Sequence, residues 1–239
     1  MRIQNSWLRP QLDANLPKYA WDIKGWLIFF NLAVDDLLFD VSCRRWLGYS
    51  GDGTWVGGNA VQCVLALEDR HFYRHGGIDP RFLPRLARQL LTGKRIGGIS
   101  TIEQQYVRTY LNRKERTFGR KFNEWVLAWL LAHRADKQDI LVSYLSCAYM
   151  GYKLTGLQAA AELVFGKDVG ELDVNEASLL SSFLVYPLPK VVRKRAEGEA
   201  WFPVQDTQEF LEKISCDAPM WASKVRRRSK YALRLVGKA

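Results

Sequence analysis

Long apolar runs are missing from this chain of 239 residues. The best candidate, Trp26 to Val34, is stopped by Asp35 and Asp36 at about half the ~20 residues that a membrane-spanning helix needs, so it reads as a packed or interfacial helix. The N-terminal residues are polar and no small-residue cleavage site follows an apolar segment, so a signal peptide is not expected. The four cysteines, Cys43, Cys63, Cys147 and Cys216, stand far apart with no Cys-x-x-Cys pair, which argues against a zinc site and a disulfide framework alike. No recognised nucleic-acid motif accompanies the basic charge, so nucleic acid is not an expected partner.

What is present is a large apolar fraction, 48% of residues, enough to bury a substantial core as one large domain or a lobe with a smaller appendage. A formal net charge of +10 calls for an anionic partner, and by charge alone nucleic acid, anionic lipid headgroups and a diphosphate all qualify. Nine tryptophans suit either a lipid interface or the filling of a core. Residues 1–57 read as an extension of mixed helix and loop, residues 58–195 as the main domain, and residues 196–239 as a basic helical tail. The basic run from Lys224 to Lys230 makes that tail either an amphipathic surface for anionic lipid or a solvated end.

The stretch that organises the chain is Leu67-Glu68-Asp69-Arg70-His71-Phe72-Tyr73-Arg74-His75-Gly76-Gly77-Ile78-Asp79-Pro80. An apolar run from Val61 to Leu67 feeds into three charged residues and then a glycine pair, the pattern of a buried helix that ends in a polar cleft where the backbone turns. Glu68 falls at the mouth of that cleft, with Arg70 and Arg74 as the nearest cations in sequence. Taken alone, Glu-Asp-Arg fits a solvated ion pair at a helix end as well. Pro80 to Leu91 then sets apolar and basic residues at helical spacing, giving an amphipathic basic helix.

Four more blocks follow in order. Gly97-Gly98-Ile99-Ser100-Thr101-Ile102-Glu103-Gln104-Gln105-Tyr106-Val107-Arg108 puts glycines before Ser100 or Thr101 as a helix cap, and sets Gln105 and Arg108 three apart on one helix face. Arg116-Thr117-Phe118-Gly119-Arg120-Lys121-Phe122-Asn123-Glu124 lets Thr117 cap a helix on which Lys121 and Glu124 share a face, followed by a nearly all-apolar run from Trp125 to Ala132. Ile140 to Gly151 leads to Ala159-Ala160-Ala161 and Phe165-Gly166-Lys167, and Leu172 to Leu180 leads to Pro187-Leu188-Pro189.

Together these five blocks, over roughly residues 58–192, resemble the peptidoglycan glycosyltransferases of glycosyltransferase family 51. That family includes the glycosyltransferase modules of bifunctional penicillin-binding proteins and the monofunctional transglycosylases. The sequence departs from the family pattern at Ile99, where a small residue is usual, at Arg108, where lysine is usual, and at Ser146, where asparagine is usual. The resemblance implies a mainly α fold, a lysozyme-like large helical lobe with a small membrane-facing lobe. It implies an inverting enzyme that polymerises lipid II into β-1,4 glycan strands with release of undecaprenyl pyrophosphate. Glu68 and Glu124 are the implied catalytic residues, and Ser100, Gln105, Arg108, Arg116 and Lys121 the implied diphosphate cradle. No metal-ligand cluster is identified, and Mg2+ or another divalent cation is the one cofactor that the resemblance allows. The implied partners are lipid II, the nascent glycan strand, the membrane surface and a membrane-anchored cell-wall synthesis protein. The implied location is peripheral, on the outer (periplasmic) face of the cytoplasmic membrane. Two alternatives remain beside this reading: a non-catalytic lipid II or glycan-binding module on the same scaffold, and a lysozyme-like lytic enzyme.

Overall fold

The structure, a computed structural model, describes residues 17, 19, 22–48, 58–82, 84, 88, 91–92, 100–112 and 117–237. Gly97, Gly98, Ile99 and Arg116 lie outside the described residues, as does much of the expected basic helix at 80–91. The chain is mainly α-helical, as expected for a lysozyme-like helical lobe. Its described sheet is a single antiparallel pair, β1 (Tyr149–Gly151) and β2 (Leu154–Thr155). The contacts divide the chain into two units, residues 1–45 with 73–143 and residues 46–72 with 144–239.

The first unit is built on α1 (Ile23–Arg44), α3 (Ile102–Leu111) and α4 (Phe118–Arg134). Asp22 caps α1 by accepting the Gly25 N–H at 2.9 Å. The apolar run ends at Asp35, but the helix does not, and it continues for 22 residues in all. The reason lies in what Asp36 and Asp40 meet. Both are buried, and Tyr110 Oη donates to Asp36 Oδ2 at 2.7 Å while Tyr106 Oη donates to Asp40 Oδ2 at 2.6 Å. Asp36 and Asp40, four apart on α1, thus match Tyr106 and Tyr110, four apart on α3, so buried charge is hydrogen-bonded and the helix is spared. Helix α4 begins where expected, with Thr117 Oγ1 accepting the Arg120 N–H at 3.2 Å. It is less uniformly buried than its apolar composition implies. Asn123, Glu124, Leu127, Ala128 and Leu131 face the core, whereas Phe122 and Trp129 are exposed. A helix has one inner stripe, and side chains on the far side stay in solvent whatever their type.

The second unit packs α2 (Gly58–Glu68), α7 (Val174–Ser181) and α10 (Pro219–Val236) against one another, with α9 (Thr207–Asp217) on α10. Asp173 and Glu176 form a reciprocal capping box at the start of α7. Asn59 Nδ2 donates to the Leu172 carbonyl at 2.9 Å, joining α2 to the segment before α7. Buried Phe183 and Phe210 pack with half-buried Trp221, the rings tilted or edge-on with centroids 5.5 to 6.3 Å apart. Burial beside α7 pushes the Cys63 thiol up to about 11, which makes it inert. The prolines at 187 and 189 close the α7 segment, and Pro189 is the N-cap of α8 (Lys190–Gly198). The basic tail is no solvated end: Ala222, Val225, Ser229 and Ala232 bury one stripe of α10.

Candidate functional site

In the first unit a polar cluster forms because Gly77 lets two backbones meet. A Cβ at Gly77 would stand 2.2 Å from the Ala128 carbonyl oxygen, and its φ of +81° is one that residues with side chains avoid. The approach presents the Gly77 carbonyl to Thr101 Oγ1 at 2.8 Å and to Gln104 Nε2 at 3.2 Å. Of the two expected caps, Thr101 is the one used, accepting the Gln104 N–H at 3.4 Å. With its amide nitrogen held by Gly77, Gln104 turns Oε1 to Lys121, which donates from Nζ at 2.8 Å.

Lys121 is the hub. Its Nζ also donates to Ser100 Oγ at 2.9 Å and to Glu124 Oε2 at 3.2 Å, so all three ammonium protons have an acceptor. Glu124 is only 3% exposed, and its other oxygen accepts from Arg120 Nη1. Burial pushes the Lys121 ammonium below its ordinary range; Glu124 opposes that shift, while the charges of Arg108 and Arg120 add to it. Two cations thus pair with one buried carboxylate, and the charge of Arg108 reaches Lys121 as well, an excess of positive charge suited to an anion with more than one charge.

Behind this cluster, Glu103 of α3 is fully buried. Burial raises its carboxyl above the usual carboxylate range, against the pull of Lys137, which is ion-paired with it, and of His75, whose Nδ1 stands 3.9 Å away.

In the second unit, Glu68 is the last residue of α2 and its side chain is 10% exposed. A cation close to it in space comes from far along the chain: Arg228 Nη2 donates to Glu68 Oε1 at 2.5 Å. Arg70, expected beside Glu68, donates from Nε to the Ala66 carbonyl at 3.1 Å and from Nη2 to Tyr231 Oη at 2.9 Å.

Of the residues named from the sequence, Ser100, Lys121 and Glu124 are brought into direct contact, and Arg108 is near enough for its charge to act on Lys121. Gln105 lies on the same helix as Arg108, half-buried, with its carbonyl accepting the Thr109 hydroxyl at 2.8 Å. Glu68 belongs to the other unit. Sequence reasoning passed over Gln104, Arg120 and Arg228. Arg120 was visible as a partner four residues before Glu124, and Gln104 as the residue three after the capping Thr101. Arg228, 160 residues from Glu68, left no local signal.

Glu124 is a poor seat for a divalent cation. Among the described residues, both of its oxygens already accept from cations, and its close neighbours are nitrogen donors, whereas Mg2+ takes oxygen ligands.

Residues 54–201 match the model of the family described as Transglycosylase. The chain is 38% identical to penicillin-binding protein 1A of Aquifex aeolicus over 137 residues, which cover 57% of this chain and 18% of that protein. It is 39% identical to penicillin-binding protein 1A of Escherichia coli over 122 residues, 51% of this chain and 14% of that protein. It is 37% identical to penicillin-binding protein 1A of Neisseria lactamica over 139 residues, 58% of this chain and 17% of that protein. The match therefore spans less than one fifth of each of these relatives.

Proposed function

We propose that this chain, which belongs to the transglycosylase family, is a peptidoglycan glycosyltransferase that polymerises lipid II into β-1,4-linked glycan and releases undecaprenyl pyrophosphate. In this reading Glu68 takes the proton of the acceptor hydroxyl. The freed oxygen pair forms the bond to the anomeric carbon from the face opposite the leaving group, which inverts that centre. The bond from the anomeric carbon to the diphosphate breaks, and its electron pair leaves on the diphosphate oxygen.

A diphosphate is a weak base, so its departure calls for positive charge and not for a proton donor. The observation that carries the proposal is the hub at Lys121. A phosphate oxygen entering there would take the place of a neutral acceptor, Ser100 or Gln104, while Glu124 keeps the ammonium aimed. Arg108 and Arg120 add charge on either side, and Arg116 and Gln105 complete the cradle that the family motifs imply. The lytic alternative needs a carboxylic acid to protonate a departing sugar oxygen and has no use for the cations gathered at Glu124. Among the described residues no helix is long and apolar enough to cross a membrane. We place the chain peripherally on the outer face of the cytoplasmic membrane, beside a membrane-anchored cell-wall synthesis partner.

The test is glycan formation from purified lipid II by wild type, Glu68→Gln and Lys121→Met. Glycan from wild type alone is the expected result. Tight lipid II binding without turnover by wild type would favour a binding module, and fragments released from preformed glycan would favour a lytic enzyme.

A further inference from the structure

Arg228 lies on α10, outside the residues matched by the family model, and belongs to none of the sequence blocks. Its side chain is 21% exposed and that of Glu68 is 10% exposed, so their contact at 2.5 Å is sheltered from the water and salt that weaken surface pairs. The register that delivers it does not depend on this contact alone. One residue on, Ser229 Oγ meets Ser178 Oγ of α7 at 2.6 Å in a buried hydrogen bond. Three residues on, Tyr231 Oη accepts from Arg70 Nη2 at 2.9 Å. Val225 and Ala232 are buried on the same stripe, one turn to either side of the Ser229 bond. The helix is thus locked against α2 and α7 around Arg228, and the guanidinium is carried to Glu68 by packing. Other acidic groups on the neighbouring elements have partners of their own: Glu176 of α7 accepts from Lys167 at 2.6 Å, and Glu171 accepts the Asp168 N–H at 3.0 Å.

We infer that Arg228 is a positioning residue for Glu68: its planar guanidinium fixes the carboxylate in the orientation from which it takes the acceptor proton. This rests on the reading of Glu68 as the base. A glutamate at a helix end has three side-chain torsions to set, and a guanidinium held by its own helix removes that freedom. Misplacing a reacting group by about 1 Å costs roughly 10²-fold in rate. Because Arg228 acts through Glu68, its loss is expected in kcat and not in KM.

Initial rates on lipid II, with melting curves, are compared for wild type, Arg228→Met, Arg228→Lys and Ser229→Ala. Arg228→Met is expected to lower kcat by about 10- to 100-fold with KM within about twofold. Arg228→Lys, which keeps the charge and loses the plane, should fall between it and wild type. Ser229→Ala loosens the same helix while leaving the guanidinium in place, and should lower the melting temperature with a kcat loss clearly smaller than that of Arg228→Met. Should Arg228→Met not fold, Arg228→Gln takes its place with the same expected loss. An Arg228→Met enzyme with kcat equal to or above wild type overturns the inference, and so does a Ser229→Ala enzyme that loses kcat to the same extent. A wild type that makes no glycan, or a Glu68→Gln enzyme as active as wild type, is a different result, since it removes the underlying reading of Glu68.

Discussion

Replacing Glu124 with glutamine tests the cluster with a change of one charge and almost no volume. Glu124 accepts from Lys121 at 3.2 Å and from Arg120 in a site where it is only 3% exposed. The amide oxygen of glutamine can keep one of the two cations. Its NH2 must then face the other, donor against donor. One charge-assisted hydrogen bond is lost, about 1.5–3 kcal/mol, and a cation is left without its counter-charge. Because Lys121 and Arg120 are partly exposed, water offsets some of this, and a net cost of about 2–3 kcal/mol is expected. At this chain length that corresponds to a fall of about 4–12 °C in melting temperature, read by circular dichroism. The sign of the pH effect follows from the shift at Lys121. Burial already lowers its folded pKa, and Glu124 is the main influence that holds it up. Without Glu124 the folded pKa falls further, so Lys121 loses its proton at a lower pH, and the activity of Glu124→Gln should drop on the alkaline side before that of wild type does. A double-mutant cycle with Lys121→Met isolates the pair, with an expected coupling of about 1–3 kcal/mol. A melting temperature within 1 °C of wild type, together with an unshifted alkaline limb, would refute the reasoning.

Tyr106→Phe removes the hydroxyl that donates to buried Asp40 at 2.6 Å and should cost about 1–3 kcal/mol in urea unfolding, while Tyr106→Phe in an Asp40→Asn background should cost less. Gly77→Ala would drive a Cβ to 2.2 Å from the Ala128 carbonyl at a φ of +81°, so soluble yield and melting temperature should both fall sharply; a wild-type melt would show that the loop re-routes at little cost. Lys137→Met removes the cation paired with Glu103, whose folded pKa is already raised by burial. A raised carboxylate contributes stability that is present below its unfolded pKa and lost as pH rises through the folded one. Lys137→Met raises the folded value further, so its deficit against wild type should be larger at pH 8 than at pH 5, with about 3–5 kcal/mol as the upper bound for a fully buried pair.

Local features of the fold were legible wherever the signal is local. The caps at Thr101 and Thr117 and the pairing of Lys121 with Glu124 follow from spacings of three or four residues, which a helix converts directly into contact. The continuation of α1 past Asp35 and Asp36 was not legible. Two aspartates read as a stop, and it is the tyrosines of α3, more than 60 residues away, together with Arg44 one turn beyond Asp40, that make Asp36 and Asp40 acceptable inside. The same holds for Glu68, whose neighbours in sequence suggested Arg70 and Arg74. The guanidinium of Arg228 arrives by packing of the last helix, and no periodicity in either segment encodes that meeting. Gln104 was passed over for Gln105 because one step along a helix turns a side chain by about 100°, and the glycine contact that decides between them joins residues 77 and 128.

The central claim is that transfer expels a lipid diphosphate as the new glycosidic bond forms with Glu68 as base. The most direct measurement counts undecaprenyl pyrophosphate by mass spectrometry against new β-1,4 linkages in one reaction with lipid II. The expected result is one molecule released per linkage for wild type and neither product for Glu68→Gln. Linkages without released diphosphate, or equal release by the Glu68→Gln enzyme, would contradict it.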